Sequence, residues 1–167
     1  MTSKTDENRK RELIAQLQAR LEALVAGLTA SQKSVQEGAV HPEARQEDSK
    51  DTRAIEAGYL ARGLAERVET LRDGIRAIAL MPARSFGLDD VAAPGAIVTV
   101  ADDDGAETRY LLAPAGGGEV LRMEGRDILV LTPRSPLGAA VAGTRCGDTI
   151  EAELPSGRMR AEIVGIE

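Results

Sequence analysis

Four carboxylates crowd one short polar stretch of the sequence: Glu43, Glu47, Asp48 and Asp51. Hard oxygen ligands suit magnesium, which keeps several of its waters and can be held by one or two carboxylates. Acids here are equally explained by the start of a helix, where the macrodipole favours negative charge. Arg45, Lys50 and Arg53 are interleaved with them. These bases either reach a phosphate or pair with the neighbouring acids. Other chemistry is poorly provided for. Cys146 and His41 each stand alone, so neither an internal disulfide nor an ordinary zinc site can be assembled. Cys146 is expected as a small, partly buried residue. Gly116-Gly117-Gly118 lacks the Lys-Ser/Thr and the following helix of a phosphate loop.

The acids sit between two segments of helical period. In the first, Ile14, Leu17, Leu21, Leu24 and Leu28 alternate steps of three and four, the spacing of a coiled-coil seam, with Leu13 and Val25 widening it. In the second, Ala54, Ala57, Ala61, Leu64, Val68, Leu71, Ile75 and Ile78 repeat the pattern, with Ala towards the acids and larger residues away from them. Small seam residues let helices approach closely, so the pair is expected to narrow towards its turn. Gly38 can end the first helix, Pro42 cannot continue it, and Asp48 or Ser49 suits the N-cap of the second. A helix of about 30 residues reaches roughly 45 Å. Paired with each other, two such helices make a rod with the acids at its tip.

The period changes after residue 80. Pro82, Gly87, Pro94 and Gly95 mark a linker and a strand entry. Residues 96–100 and 108–112 read as strands joined by a turn at Asp102-Asp103-Asp104-Gly105, and 128–131 as a buried strand. A short helix is expected from Pro136 to Ala142. A hairpin closes the chain, with its turn at Pro155-Ser156-Gly157. The expected organisation is a coiled-coil hairpin over 1–80 with its tip near 38–51, a linker over 81–90, and a mostly β domain over 91–167. The fold class is α+β.

Composition narrows the functions. The 27 acids against 21 bases give a net charge of −6, which argues against gripping duplex nucleic acid as the main role. Tyr59, Tyr110 and Phe86 are the only aromatics, so no stacking platform for bases is expected. The N-terminus lacks the apolar stretch of a signal peptide, and no apolar run is long enough to span a bilayer. The expectation is a cytoplasmic protein, without a membrane partner and monomeric.

The run Thr132-Pro133-Arg134-Ser135-Pro136-Leu137-Gly138, with Gly147-Asp148, Leu154-Pro155-Ser156-Gly157 and Glu162-Ile163-Val164, resembles the C-terminal domain of the Gre transcript-cleavage factors. Ala57-Gly58-Tyr59-Leu60 followed by 62–71 resembles that family's second coil helix. The resemblance implies an FKBP-like antiparallel sheet domain with a short helix, docked on RNA polymerase through Ser135, Pro136, Leu137 and Asp148. It also implies that the coiled coil enters the polymerase's secondary channel. The tip acids Glu43, Glu47, Asp48 and Asp51 would then assist, in trans, cleavage of backtracked RNA near its 3′ end. Magnesium would be shared with the polymerase, through Glu47 and Asp48, and no cofactor would be bound by the chain alone. The chain is thus expected to be an accessory factor rather than an enzyme.

The family's tips resemble Asp-x-x-Glu-Asn, and this sequence departs from that. Aligned on Gly58 without a gap, the two acid positions fall on Glu43 and Gln46. A shift of one residue brings in Glu47, with Asp48 in the Asn place, and Asp48 with Asp51 also has the right separation. The alternative is therefore a channel binder without cleavage activity, an inhibitor or modulator. A prolyl isomerase would need an aromatic-lined pocket that Tyr110 and Phe86 cannot supply, and the polar outer faces of the helices argue against a coiled-coil chaperone.

Overall fold

The computed structural model describes residues 2–39, 47–87 and 89–167, with side chains for 4–34, 52, 55–87 and 89–167. Two long helices come first: α1, Thr2–Ala39, and α2, Glu47–Ala79. Then follow β1 (Ile97–Asp102), β2 (Glu107–Leu112), β3 (Val120–Met123), β4 (Arg126–Leu131), the short helix α3 (Pro136–Val141), β5 (Thr149–Leu154) and β6 (Gly157–Ile166). The fold is α+β, as the two periods predict. The six strands form one sheet in the order β3-β4-β2-β1-β6-β5. All pairings are antiparallel except β2 with β4, which run parallel, so the expected antiparallel sheet is a mixed one. The parallel pair exists because β3, which has no strong strand signature, is inserted at the edge and reverses β4. The turn from β3 to β4 places Glu124 and Gly125 at positive φ (53° and 77°).

Strand side chains alternate between two cores, as a period of two requires. Ile97, Leu111, Leu121, Ile128 and Val130 face one side of the sheet, while Val98, Val100, Tyr110, Ile150 and Ile163 face the other. The second side is covered by α3 through Leu137 and Val141. The first is covered by the base of the helical pair: Leu13, Ile14, Leu17, Leu21 and Ile78 are buried there, with Leu71 and Ile75 packed against them. The seam residues of α1 near its start therefore serve two partners, α2 and the sheet. The outer edge of the sheet carries Glu151 opposite Arg160 and Glu153 opposite Arg158, charges that blunt an edge strand against pairing with other chains.

This double duty explains a departure from the seam. Leu17 and Leu21 are 0% and 1% exposed, but Leu24, the next seam residue, is 46% exposed. Beyond Leu21 the rod leaves the sheet, and one helix cannot cover its neighbour from both sides. Ile55, Tyr59 and Leu60 on the distal part of α2 are exposed for the same reason.

The linker is pinned rather than loose. Met81 and Phe86 are each 8% exposed and belong to the two opposite cores. The Lys10 ammonium of α1 lies 4.5 Å from the Phe86 ring centre and donates to the Arg84 carbonyl at 2.9 Å. The Arg84 guanidinium lies 3.9 Å from the same ring and pairs with Asp90 at 3.0 Å. The Arg84 side chain, helped by the Gly87 N–H, holds the Asp90 carboxyl below its ordinary range. Burial pushes the Lys10 ammonium down to about 8, reinforced by Arg84 and opposed by Glu167 and Asp6.

Two outcomes follow for stability. Leu17→Ala should cost about 3 kcal/mol and Leu24→Ala less than about 1 kcal/mol, read from chemical denaturation. Equal losses would contradict the shared core. Lys10 binds its proton more weakly when folded than when unfolded, so its contribution is least favourable below pH 8 and improves as pH rises. The stability of the native chain relative to Lys10→Met should therefore increase by up to about 3 kcal/mol between pH 8 and 10.5. A flat difference would mean that the ammonium is not desolvated.

Candidate functional site

The two sets of residues singled out in the sequence lie far apart. From Ala79 at its base to Glu47, α2 extends about 50 Å. Glu47, Asp48 and Asp51 occupy its first turns, with Glu47 and Asp51 one turn apart along the helix. Glu43 lies outside the described residues, as does Gln46. The expected N-cap at Asp48 or Ser49 is not found: the helix already includes Glu47, so both residues are inside it. Acids in a first turn are favoured by the helix dipole. Among the described residues no group of three or more His, Cys, Asp or Glu could hold a metal ion.

The turn before α3 is built by Ser135. Its backbone is extended (φ −77°, ψ 152°), and its Oγ accepts from the Gly138 N–H at 3.1 Å and donates to the Thr132 carbonyl at 2.9 Å. One hydroxyl thus caps the helix and closes the turn, and Pro136 takes the first helical position, where its missing N–H costs nothing. A Cβ at Gly138 would come within 1.9 Å of the Thr132 carbonyl oxygen, so only glycine fits there. Pro136 and Arg134 are exposed, whereas Ser135 is half-buried. Leu137 departs from the docking role implied for it: it is 7% exposed and packs in the core under α3. A hydrophobic residue at the second position of an amphipathic turn goes inward when its neighbours face water.

Asp148 is exposed at the entry to β5. Its Oδ2 accepts from the Arg145 N–H at 2.7 Å and its carbonyl accepts from the Ile163 N–H at 2.9 Å. The carboxylate therefore shapes the turn that leads from α3 into β5, and α3 packs on β5. This brings Asp148 into the same α3–β5 unit as Ser135 and Pro136. Cys146, in the same turn, is half-buried.

The residues that hold the rod on the sheet escaped sequence reasoning. Gln16 donates from Nε2 to the Arg122 carbonyl at 3.0 Å and accepts from the Arg122 N–H at 3.2 Å. Arg9 pairs with Glu124 at 2.6 Å, and Arg20 with Glu119 at 3.2 Å. Nothing in their spacing separates them from ordinary solvated helix residues. Gly74 is a glycine inside a helical pattern, but so are Gly27, Gly58 and Gly63, which have open space beside them, so the sequence does not single it out as a close approach.

Comparison with known proteins agrees with the C-terminal geometry. Residues 88–167 match the family model described as transcription elongation factor, GreA/GreB, C-terminal. The chain is 42% identical over 81 residues to the transcription elongation factor GreA of Saccharopolyspora erythraea, covering 46% of each protein. It is 40% identical over 73 residues to GreA of Streptomyces coelicolor, covering 42% of this chain and 40% of that one. The matched stretch thus spans less than half the length of these relatives. Among solved structures, GreA factor homolog 1 of Thermus thermophilus aligns over 95% of this chain and 94% of that one, at 21% identity and a TM-score of 0.39. The elongation factor GreA/GreB of Nitrosomonas europaea aligns over 68% and 92%, at 20% identity and a TM-score of 0.35. No described helix is long and apolar enough to cross a membrane. The Ser-Pro turn, the Gly-Asp turn and the closing hairpin are all in place in residues 88–167, the stretch that matches the GreA/GreB C-terminal domain family.

Proposed function

We propose that the chain is an RNA polymerase accessory factor of the cytoplasm that docks through its sheet domain and sends its helical rod into the polymerase's secondary channel. The observation that carries this reading is the family match of residues 88–167 on a domain that seats the base of a long helical pair. Arg134 and Pro136 are exposed at the turn before α3, and Asp148 is exposed at the entry to β5. The exposed Ile55, Tyr59 and Leu60 on α2 would meet the channel wall.

At the tip, Glu47 and Asp48 would help to hold a magnesium ion shared with the polymerase, with Glu43 and Asp51 as further acids. The donor set fits such an ion, since magnesium takes hard oxygens and needs few protein ligands. Magnesium so held would stabilise charge developing at the phosphate of a backtracked RNA during its cleavage. The chain's own part is delivery and positioning of carboxylates, and the polymerase performs the reaction. A second reading is supported by Gln46, which takes the second acid position in the ungapped register. In that reading the rod occupies the channel and slows or modulates elongation without RNA cleavage.

Backtracked elongation complexes incubated with the protein and magnesium should release short 3′ RNA fragments. Glu47→Ala combined with Asp48→Ala should lower that release about tenfold or more while binding to polymerase is kept. Slowed elongation without fragments would select the second reading, and absence of polymerase binding would remove both. Pro136→Glu keeps an acid-compatible helix start but removes the exposed ring. It should weaken polymerase binding roughly tenfold with the thermal transition little changed.

A further inference from the structure

The base of the rod sits in the sheet domain with no room to spare. A Cβ on Gly74 of α2 would lie 2.6 Å from the Ala115 Cβ, and one on Gly116 would lie 2.6 Å from Leu17 Cδ1 of α1. Both helices therefore rest on one loop, 113–118, at points where a side chain is missing. That loop cannot yield easily. The Ala113 N–H donates to the Leu131 carbonyl, the Gly118 N–H to the Val130 carbonyl, and the Val130 N–H to the Glu119 carbonyl, at 2.8, 3.0 and 2.8 Å. The same stripe of α1 is clasped along the sheet edge by Arg9 on Glu124, Gln16 on the Arg122 backbone and Arg20 on Glu119. Glu124 keeps a left-handed backbone (φ 53°) that a non-glycine residue rarely adopts, and in that conformation its carboxylate meets Arg9.

We propose that this seat, Gly74 on Ala115, Leu17 against Gly116 and Gln16 on Arg122, is a positioning device that fixes the bearing of the rod and hence where its tip arrives. A lever makes small errors at the seat large at the tip. From Gly74 to Thr52 the helix advances about 33 Å, so a tilt of roughly 5° moves that point by about 3 Å. Tolerances for a group acting at a reacting centre are tighter than that. The significance for the tip rests on the channel-insertion reading, but the seat itself can be tested on the isolated protein.

Spin labels at Thr52→Cys and Glu153→Cys, in a Cys146→Ser background, report the distance between rod and sheet. The native sequence should give one narrow distribution. Gly74→Ala should shift it by about 3 Å or broaden it by a similar amount. Ala115→Gly, which removes the atom that the new methyl would meet, should restore it. Gly63→Ala, with nothing within 4 Å of its added Cβ, should leave it unchanged. An unshifted distribution in Gly74→Ala, or a failure of Ala115→Gly to restore it, overturns the proposal. Should Gly74→Ala not fold, Gln16→Leu must broaden the distribution at unchanged helix content, and a native-like distribution there overturns it equally. In the polymerase assay, Gly74→Ala should keep binding but lose about tenfold of the tip's effect, with rescue by Ala115→Gly. A loss without rescue overturns the link between seat and tip. Absence of polymerase binding by the native chain overturns only the functional reading, because the distance measurement needs no polymerase.

Discussion

The structure depends on one piece of shared burial. Leu13, Ile14, Leu17 and Leu21 close the helical pair at its base and also cover one face of the sheet. A two-helix rod by itself has too little interior to exclude water, and a six-stranded sheet covered only by the short α3 would leave one apolar face wet. Each part supplies what the other lacks. At about 25 cal/mol per Å² of apolar surface removed from water, the four side chains together outweigh any of the polar contacts that flank them.

The flanking contacts have another use. Hydrophobic burial is not directional and would tolerate a family of rod orientations. Hydrogen bonds and close contacts are directional. The two-point bond between the Gln16 amide and the Arg122 backbone satisfies edge-strand groups that otherwise face solvent, in a geometry that permits one register of helix against strand. Phe86, under the cations of Lys10 and Arg84, ties the linker to the first turns of α1. The apolar core thus supplies affinity between rod and sheet, and the polar rim with its glycines supplies direction.

A division of labour along the chain follows from this. The end of the molecule that carries the Ser135–Pro136 turn is rigid, closed by a capping hydroxyl and a glycine under a carbonyl. The rod beyond Leu21 has exposed seam residues and little to pack against. Such a rod suits an environment that wraps it. Outside that environment its apolar residues, Leu24, Ile55, Tyr59 and Leu60, are in contact with water.

Much of this was legible in the residues. The steps of three and four from Ile14 to Leu28 and from Ala54 to Ile78 determine two paired helices, because only one helical face is apolar. The short apolar, β-branched-rich runs at 97–100 and 128–131 determine strands, and Pro136 at a first helical position determines a short helix. Chain order alone sets Glu47, Asp48 and Asp51 at the end of the second helix that lies away from the sheet domain. Tertiary structure decided what no local pattern encodes. It inserted β3 and made β2 and β4 parallel, since strand pairing is a long-range choice. It turned Leu137 inward, buried Lys10, and divided the seam into a part covered by the sheet and a part left open. It also gave Gly74 and Gly116 their meaning, because the space a missing side chain leaves matters only once another element is packed into it.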